Sequence, residues 1–398
     1  MIGRAIAALA FALTLGLTTQ AAAQDASLPR LSRELPEQFT ALPDARAAWV
    51  AARPTGYAQM VLPVLLDGVP VNAVIDTGAP FSVIDEEYAF EHSYGVRPAA
   101  ATAPGARPLP ASVPIRSLRF GGAERAGGRL YVSRLSSFGL FGLDVPVILG
   151  NDFLACCALE LDYEHGRGRM MPSGARPIAG VEVAIGLAPG KDYYFTAVGL
   201  GGKSIDSVMI DTGGSGSLSL SAASWAAAAM PPPPSSIKLL TVSGPRVAGR
   251  TQIDALMLGA TVVRGVGTTV LPDDVGLLDA SRAKGLIGAG LLQRFHVLID
   301  IGAKRMILGA RDVPMGPDAK NTSGMQLARD GDADLVMHVL RNSPAERAGI
   351  KTGDRICAIN GKPVAQSPNG WGSGMPGEMW ALTLCDARSI TLTLAEFY

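Results

Sequence analysis

The sequence has no excess of either charge, with 35 basic and 35 acidic residues among 398. Proteins that bind nucleic acid or anionic membranes through their overall charge carry a basic excess, so neither partner is predicted. Charged residues make up only 18% of the chain and hydrophobic residues 48%. This balance is typical of packed globular domains, and the length is sufficient for two or three of them.

Cysteine and histidine are also scarce, with four residues of each. No Cys/His spacing resembles a zinc site, and no Gly-x-Ser-x-Gly motif accompanies the scattered histidines. We therefore predict no metal, no other cofactor and no serine triad. Four cysteines allow three disulfide pairings, and the sequence does not choose among them. A bond between the adjacent Cys156 and Cys157 is disfavoured by geometry, whereas Cys357 and Cys385 can pair in an oxidising compartment.

The only long apolar run lies at the N-terminus. Arg4 precedes the run Ile6–Leu17, and the small residues Ala21–Ala23 follow. This order is typical of a secretory signal peptide, here over residues 1–23, and the run is too short to span a bilayer comfortably. We expect a periplasmic or secreted mature protein without stable membrane insertion.

An internal repeat organises the rest of the chain. The sequence Val-Ile-Asp-Thr-Gly at Val74–Gly78 recurs as Met-Ile-Asp-Thr-Gly at Met209–Gly213. An apolar pair followed by Gly comes later in each copy and ends at Gly150 or Gly288, at nearly equal distances from the Asp. Repeats of this kind indicate a duplicated structural unit. Because Val/Ile/Leu runs alternate with Gly, Pro and Asp turns, we predict a mainly β fold with two homologous, barrel-like lobes.

The predicted domain boundaries follow from composition and from this repeat. Residues 24–54 have little periodicity and are interpreted as a tail, a pro-segment or an edge strand. We predict lobe one at 55–175, lobe two at 176–310 and a small α+β module at 323–398. In the last module Asn360-Gly361, between apolar runs, is a strong hairpin signal.

Asp76 and Asp211, one from each repeat, supply two carboxyl groups. Peptide hydrolysis without a metal or a protein nucleophile requires one carboxylate to take a proton from water and a second carboxyl to donate one. Two carboxyls held roughly 3 Å apart share a proton and titrate as a coupled pair. Gly78 and Gly213 allow the backbone to turn tightly beside them.

These paired motifs resemble the pepsin/retropepsin aspartic proteases over roughly Met60–Gly309. The resemblance implies that Asp76 and Asp211 form the catalytic dyad and that Thr77 and Thr212 grip each other across the lobe interface. Gly78 and Gly213 would support the dyad, and Leu149-Gly150 and Ile287-Gly288 would lie beneath the two active-site loops.

Two features depart from the pepsin pattern. Ala79 and Gly214 stand where pepsin-like enzymes carry a Ser or Thr whose hydroxyl bonds a catalytic carboxylate, which is closer to the retroviral pattern. Without those hydroxyls we expect the pKa values of the dyad to be higher than in pepsin. The flap Tyr of pepsins is missing from the candidate region Ala103–Leu109, and Val242–Gly244 is interpreted as a flap-like hairpin of lobe two.

The stretch from Ser323 to Tyr398 resembles a bacterial PDZ domain. PDZ domains add an extended peptide to a sheet edge and hold its terminal carboxylate on backbone N–H groups, which the resemblance assigns to Gly324 and Met325. We predict an aspartic endopeptidase whose PDZ module recruits or positions polypeptide substrates and binds C-terminal or extended peptides. The alternative is a catalytically inactive, protease-like peptide-binding protein.

Overall fold

Strands dominate the computed structural model and its helices are short, which confirms the predicted mainly β fold. The residues it describes are 38–41, 47–96, 111–135, 144–187, 193–241, 244–272, 278, 281–366 and 374–398. The predicted signal peptide and the candidate region Ala103–Leu109 lie outside them. Within these ranges, no helix has the length and apolarity needed to cross a bilayer.

Lobe one is built around a nine-stranded sheet with the strand order β1-β8-β7-β3-β4-β10-β5-β9-β6. Its central strands are mostly apolar, and β10 and the end of β4 that leads to Asp76 are buried on both faces. The elements of this half of the chain are β1 Gln38–Ala41, β2 Val50–Ala51, β3 Val61–Leu66, β4 Val69–Ile75, β5 Val83–Asp85, α1 Glu86–Glu91, β6 Ser112–Pro114, β7 Ser117–Phe120, β8 Ala123–Ala126, β9 Arg129–Ser133, β10 Val147–Leu149, α2 Asn151–Leu154, β11 Ala158–Asp162 and β12 Arg167–Met171.

Lobe two contains an eight-stranded sheet with the order β14-β15-β16-β21-β17-β20-β19-β18, and β15 also pairs with β19. The extra pairing bends the sheet toward closure, which makes it barrel-like. Its elements are β13 Val181–Ala184, β14 Gly186–Leu187, β15 Tyr194–Leu200, β16 Lys203–Asp211, β17 Leu218–Ser221, α3 Ala222–Ala227, β18 Ser235–Thr241, β19 Gly244–Leu258, β20 Thr261–Leu271, β21 Gly285–Gly288, α4 Ala289–Leu292, β22 His296–Asp300 and β23 Arg305–Gly309.

The two halves repeat the same order of elements, since β4, β5, α1, β10, α2 and β11 correspond to β16, β17, α3, β21, α4 and β22. A six-stranded sheet, β13-β23-β22-β11-β12-β2, joins the lobes. In it β11 pairs antiparallel with its counterpart β22, so that Ala158 faces Asp300 and Asp162 faces His296. The repeated strands are therefore related by an approximate two-fold axis.

The described part of the N-terminal segment belongs to the fold. Strand β1 pairs with β8 at one edge of the nine-stranded sheet, and β2 pairs with β12 at one edge of the interlobe sheet. Ala47, between them, is buried. Of the three interpretations, edge strands describe residues 38–41 and 50–51, because their main-chain groups complete the ladders of β8 and β12.

The C-terminal module is a sheet of order β24-β25-β26-β28-β29, with β27 paired to β26. Asn360 and Gly361 form the predicted turn between β26 and β27, both with positive φ. The elements are β24 Met325–Asp330, β25 Ala333–Val339, α5 Pro344–Arg347, β26 Arg355–Ile359, β27 Lys362–Pro363, a 3-10 turn at Val364–Gln366, β28 Met379–Leu384 and β29 Ser389–Thr393.

The four cysteines pair within their own modules. Cys357 is bonded to Cys385, which ties β26 to the turn after β28. Cys156 is bonded to Cys157 in the turn between α2 and β11, so the geometric argument against this pair was wrong.

Candidate functional site

Asp76 and Asp211 stand at the ends of equivalent strands where the two lobes meet. Strand β4 pairs in parallel with β10, and the Asp76 N–H continues that ladder by donating to the Leu149 carbonyl at 3.0 Å. In lobe two, β16 pairs in parallel with β21, which places Asp211 beside Gly288. Both side chains are fully buried. The topology therefore brings the two predicted acids to equivalent positions beside the interface.

Gly78 and Gly213, in the two loops, are required because a carboxyl group of the opposite lobe lies too close to leave room for a side chain. A Cβ on Gly78 would lie 2.5 Å from the Asp211 Oδ1, and a Cβ on Gly213 would overlap the Asp76 carboxyl group. Neither glycine has a positive φ. The sequence argument explained them by a tight turn, whereas the structure shows that each leaves room for the carboxyl group of the opposite lobe.

Thr77 and Thr212 make four reciprocal hydrogen bonds across the interface. The Thr77 hydroxyl donates to the Ile210 carbonyl at 2.8 Å, and the Thr212 hydroxyl donates to the Ile75 carbonyl at 2.7 Å. Each hydroxyl also accepts the other threonine's backbone N–H, at 3.0 and 3.1 Å. This is the mutual grip that the resemblance implied, and it holds the two loops in register.

Backbone N–H groups contact one oxygen of each acid. The Gly78 N–H donates to Asp76 Oδ1 and the Gly214 N–H donates to Asp211 Oδ1, both at 2.8 Å. Oδ2 of each carboxyl accepts no backbone or side-chain N–H in the part of the chain that the structure describes, and the two carboxyls share a hydrogen bond with each other. As expected from Ala79 and Gly214, no hydroxyl bonds either carboxyl within those residues.

The surroundings of the two acids favour their protonated forms. Burial, followed by the charge of Asp211, raises the pKa of Asp76 well above its ordinary value. Burial raises the pKa of Asp211 to about 6, against the opposing effect of the Gly214 N–H. Two adjacent buried carboxyls do not both ionise readily, so the pair retains one proton over a pH range above that of ordinary carboxyls.

Two further side chains support the loops and were not singled out from the sequence. The buried Gln59 donates its Nε2–H to the Gly213 carbonyl at 3.1 Å, from lobe one to lobe two. Asn151 donates its Nδ2–H to the Thr77 carbonyl at 2.8 Å. Asn151 directly follows Gly150 in the first repeat, whereas Ala289 follows Gly288 in the second. This difference between the repeats was the sequence signal that could have marked Asn151. Gln59 has no counterpart that would have marked it.

The glycines downstream of each motif also lie where the resemblance implied. A Cβ on Gly150 would overlap the backbone of Phe81, and one on Gly288 would overlap the backbone of Gly216. The loop that follows each Asp therefore packs directly on the end of β10 or β21. Only glycine allows this approach.

The predicted hairpin at Val242–Gly244 joins β18 to β19. The two strands pair antiparallel from Ser235 with Arg250 to Thr241 with Gly244, which leaves Val242 and Ser243 as the connection. These two residues lie outside the described part of the chain.

The predicted carboxylate-binding loop of the C-terminal module is closed by its own side chains. The Gly324 N–H donates to Asn321 Oδ1 at 2.7 Å, and the Met325 N–H donates to Ser323 Oγ at 3.2 Å. Asn321 Nδ2–H donates to the Met325 carbonyl at 2.9 Å. Gly324 is required by its positive φ and because a Cβ would overlap Ser343. Gly324 and Met325 lie at the loop as expected, but both N–H groups already have partners.

Within the described ranges, no three His, Cys, Asp or Glu side chains come together as a metal site would require. The arrangement that the two lobes form is a pair of buried carboxyls that are hydrogen-bonded to each other and held by backbone N–H groups of their own loops. Such a pair is suited to exchanging protons with a bound water.

Two family models match this chain. Residues 62–153, within lobe one, match the aspartyl protease model, and residues 335–372 match a PDZ domain model. These matches confirm the resemblance to aspartic proteases with a C-terminal PDZ domain. No curated protein sequence matches the chain.

Solved structures with some similarity include two proteins of low identity. A retropepsin-like aspartic protease from Rickettsia conorii is 16% identical, with a TM-score of 0.22, over 34% of this chain and 93% of its own. Conglutin gamma, a basic 7S globulin from lupine seeds, is 11% identical, with a TM-score of 0.40, over 66% of this chain and 94% of its own.

Proposed function

We propose that this protein is an aspartic endopeptidase in which Asp76 and Asp211 activate a water molecule. The observation that carries the proposal is the buried pair of carboxyls, which are hydrogen-bonded to each other and both have raised pKa values. The aspartyl protease match over lobe one supports it, and the internal repeat extends the same arrangement to lobe two.

The chemistry needs one proton on the pair. The ionised carboxyl takes a proton from water as the water oxygen bonds to the peptide carbonyl carbon. The protonated carboxyl donates its proton to the carbonyl oxygen. The tetrahedral intermediate then breaks its C–N bond: the leaving nitrogen takes a proton from one carboxyl, while one hydroxyl of the intermediate gives its proton to the other carboxyl and becomes the carbonyl, which restores one proton on the pair. Since each carboxyl is acid in one step and base in another, both are required.

Digestion of denatured casein by the purified protein, with and without pepstatin, tests the proposal. We expect peptide release that pepstatin inhibits, because the inhibitor's hydroxyl occupies the place of the attacking water between two carboxyls. No release of peptides between pH 3 and 8, together with retained binding of casein peptides, would favour the catalytically inactive peptide-binding protein.

The pH dependence of kcat/KM should reflect the raised pKa values. The pair is active with one proton bound, so the rate falls as pH drops through the lower pKa, near that of Asp211 at about 6. The rate falls again above the higher pKa. We expect a maximum at weakly acidic to neutral pH, measured on a fluorogenic peptide, and a maximum near pH 2 would contradict this arrangement.

For the PDZ module, recruitment and positioning of polypeptide substrates were both predicted. Asp318, in the connecting segment, pairs with Arg294 at 2.6 Å and accepts the Gly267 N–H at 2.7 Å, so the connection is bound to lobe two. This fixed connection supports positioning by the module over recruitment of substrates through a mobile tether.

We further propose that the protein acts in the periplasm or outside the cell. The secretory pattern of residues 1–23 supports this, and so does the Cys357–Cys385 bond, since disulfides persist in oxidising compartments. N-terminal sequencing of protein recovered from the periplasm or medium should begin at Gln24. Retention of the full N-terminus in the cytoplasmic fraction would argue against export.

A further inference from the structure

The C-terminal module contacts lobe two through residues of β24, of β25 and of the turn after β25. Gln326, the second residue of β24, donates its Nε2–H to the Lys238 carbonyl at 2.8 Å and accepts the Lys238 N–H at 3.0 Å. Gln326 is 4% exposed. Its carboxamide therefore pairs with both main-chain groups of one residue, as the backbone of an added strand would.

The strand that Gln326 contacts is the edge of its sheet. Strand β18 is the last in the eight-stranded order and, among the residues that the structure describes, pairs on one side only, with β19. An edge strand with free N–H and C=O groups is a template for pairing with another chain, and proteins commonly cover such edges. In this protein the cover comes from the C-terminal module.

A second group of contacts fixes the beginning of β18. Ser236 Oγ lies 3.0 Å from His338 Nε2 and accepts the Arg341 N–H at 3.2 Å. Ser235 Oγ donates to the Arg341 carbonyl at 2.9 Å, and Asn342 Nδ2–H donates to the Pro234 carbonyl at 2.6 Å. The contacts come from β25 and the turn after it, so two neighbouring parts of the module hold one strand.

The N–H groups of the loop before β24 have hydrogen-bond partners as well. As described above, Asn321 and Ser323 take the two N–H groups that a peptide carboxylate would need. The Asn321 N–H donates in turn to the Tyr398 hydroxyl at 3.0 Å. A peptide carboxylate would have to displace the Asn321 carboxamide to reach the Gly324 N–H.

From these contacts we propose that the C-terminal module braces strand β18 of the same chain, and that its carboxylate loop, closed by Asn321 and Ser323, does not take a free peptide C-terminus. The module then functions as a fixed part of lobe two. Its effect reaches Asp211 through one continuous sheet, since β18, β19, β20, β17, β21 and β16 are successive neighbours and β16 ends at Asp211. The proposal goes beyond peptide hydrolysis and holds whether or not the carboxyl pair is active.

Hydrogen–deuterium exchange of the full chain tests the brace. Gln326→Met keeps the side-chain length and removes both bonds to Lys238, so exchange over Ser235–Leu239 should rise by about fivefold. Gln366→Met makes the same change at an exposed position of the module and should leave that exchange as in the wild type. Ser236→Ala, which removes the contacts of its hydroxyl with His338 and Arg341, should also speed exchange over this strand.

The outcomes separate the brace from a peptide receptor. If neither Gln326→Met nor Ser236→Ala changes exchange of β18 relative to Gln366→Met, the brace is refuted. The second measurement is fluorescence anisotropy with a labelled pool of random hexapeptides, with either free or amidated C-termini. We expect no saturable binding that depends on the free carboxylate, and such binding to the wild type would overturn the proposal. Neither readout depends on activity, so failure here is distinct from failure of the endopeptidase proposal.

Discussion

Asp76→Asn and Asp211→Asn, made separately, should each lower kcat/KM for casein-derived peptides by at least about a thousandfold. An asparagine can neither take a proton from water nor donate one to the carbonyl oxygen, and the reaction uses each carboxyl in both roles. The amide is nearly isosteric with the carboxyl, so the Gly78 and Gly214 N–H donors keep an acceptor oxygen. The loss should therefore be one of chemistry, measured against a native melting transition.

The stability of these variants gives an independent check. A carboxyl whose pKa is raised on folding stabilises the native state fully only below its unfolded pKa of about 3.8, and the contribution is lost as pH rises through the folded pKa. The wild type should therefore lose stability as pH rises from about 3.8 through about 6 and further, and each Asn variant should lose less. Asp254→Asn, at an exposed position of β19, is the matched control and should change neither rate nor pH dependence.

A rate within tenfold of the wild type in either single variant would rule out the two-carboxyl mechanism. A variant that was inactive but no longer melted cooperatively would carry no information on chemistry. In that case, the pH dependence of pepstatin binding by the wild type provides the decisive measurement, because binding that does not change through the pH range around 6 would contradict a titrating pair.

Thr212→Val should destabilise the protein by roughly 2–4 kcal/mol. Valine matches threonine in shape but removes a hydroxyl that donates to the Ile75 carbonyl and accepts the Thr77 N–H. Both backbone groups are buried at the interface and would be left without partners, and each unpaired group carries a desolvation cost of about 1–3 kcal/mol. Urea unfolding at fixed pH measures the difference.

Thr212→Ser is the control for this change, because it keeps the hydroxyl and loses only a methyl group. It should retain most of the stability and the activity. Since the grip also sets the register of the two Asp loops, Thr212→Val should lower kcat more than it raises KM. Equal stability of the Val and Ser variants would mean that the four reciprocal bonds contribute little to joining the lobes.

The elements of the protease-like lobes were predictable to a large extent because their signals are local. Strands such as β3 and β4 are runs of Val, Ile and Leu between turn residues, and local composition is enough to mark them. The position of each Asp at the end of an apolar strand is equally local. The repeat of that pattern predicted two equivalent acids before their separation in space was known.

Other features depend on partners far away in the sequence. Residues 38–41 and 50–51 have no strand signal of their own and become strands because β8 and β12 offer unpaired edges. The support of Gly213 by Gln59, 154 positions earlier in the chain, is of the same kind. A residue such as Gln59 has no recognisable motif around it, and its role depends on the packing of the two lobes against each other.

The sequence by itself determined that this chain has two related β lobes, two Asp-Thr-Gly loops and a PDZ-like module, since each of these is written in short, contiguous patterns. Only the tertiary structure decided why Gly78 and Gly213 are glycines, since the group each must avoid is the carboxyl of the opposite lobe. It also decided where the module lies. In the sequence Gln326 is an ordinary polar residue, and only the structure shows that it pairs with the N–H and C=O groups of Lys238. Hydrogen bonds between segments that are distant in the sequence depend on how those segments pack in space, so no local sequence pattern predicts them.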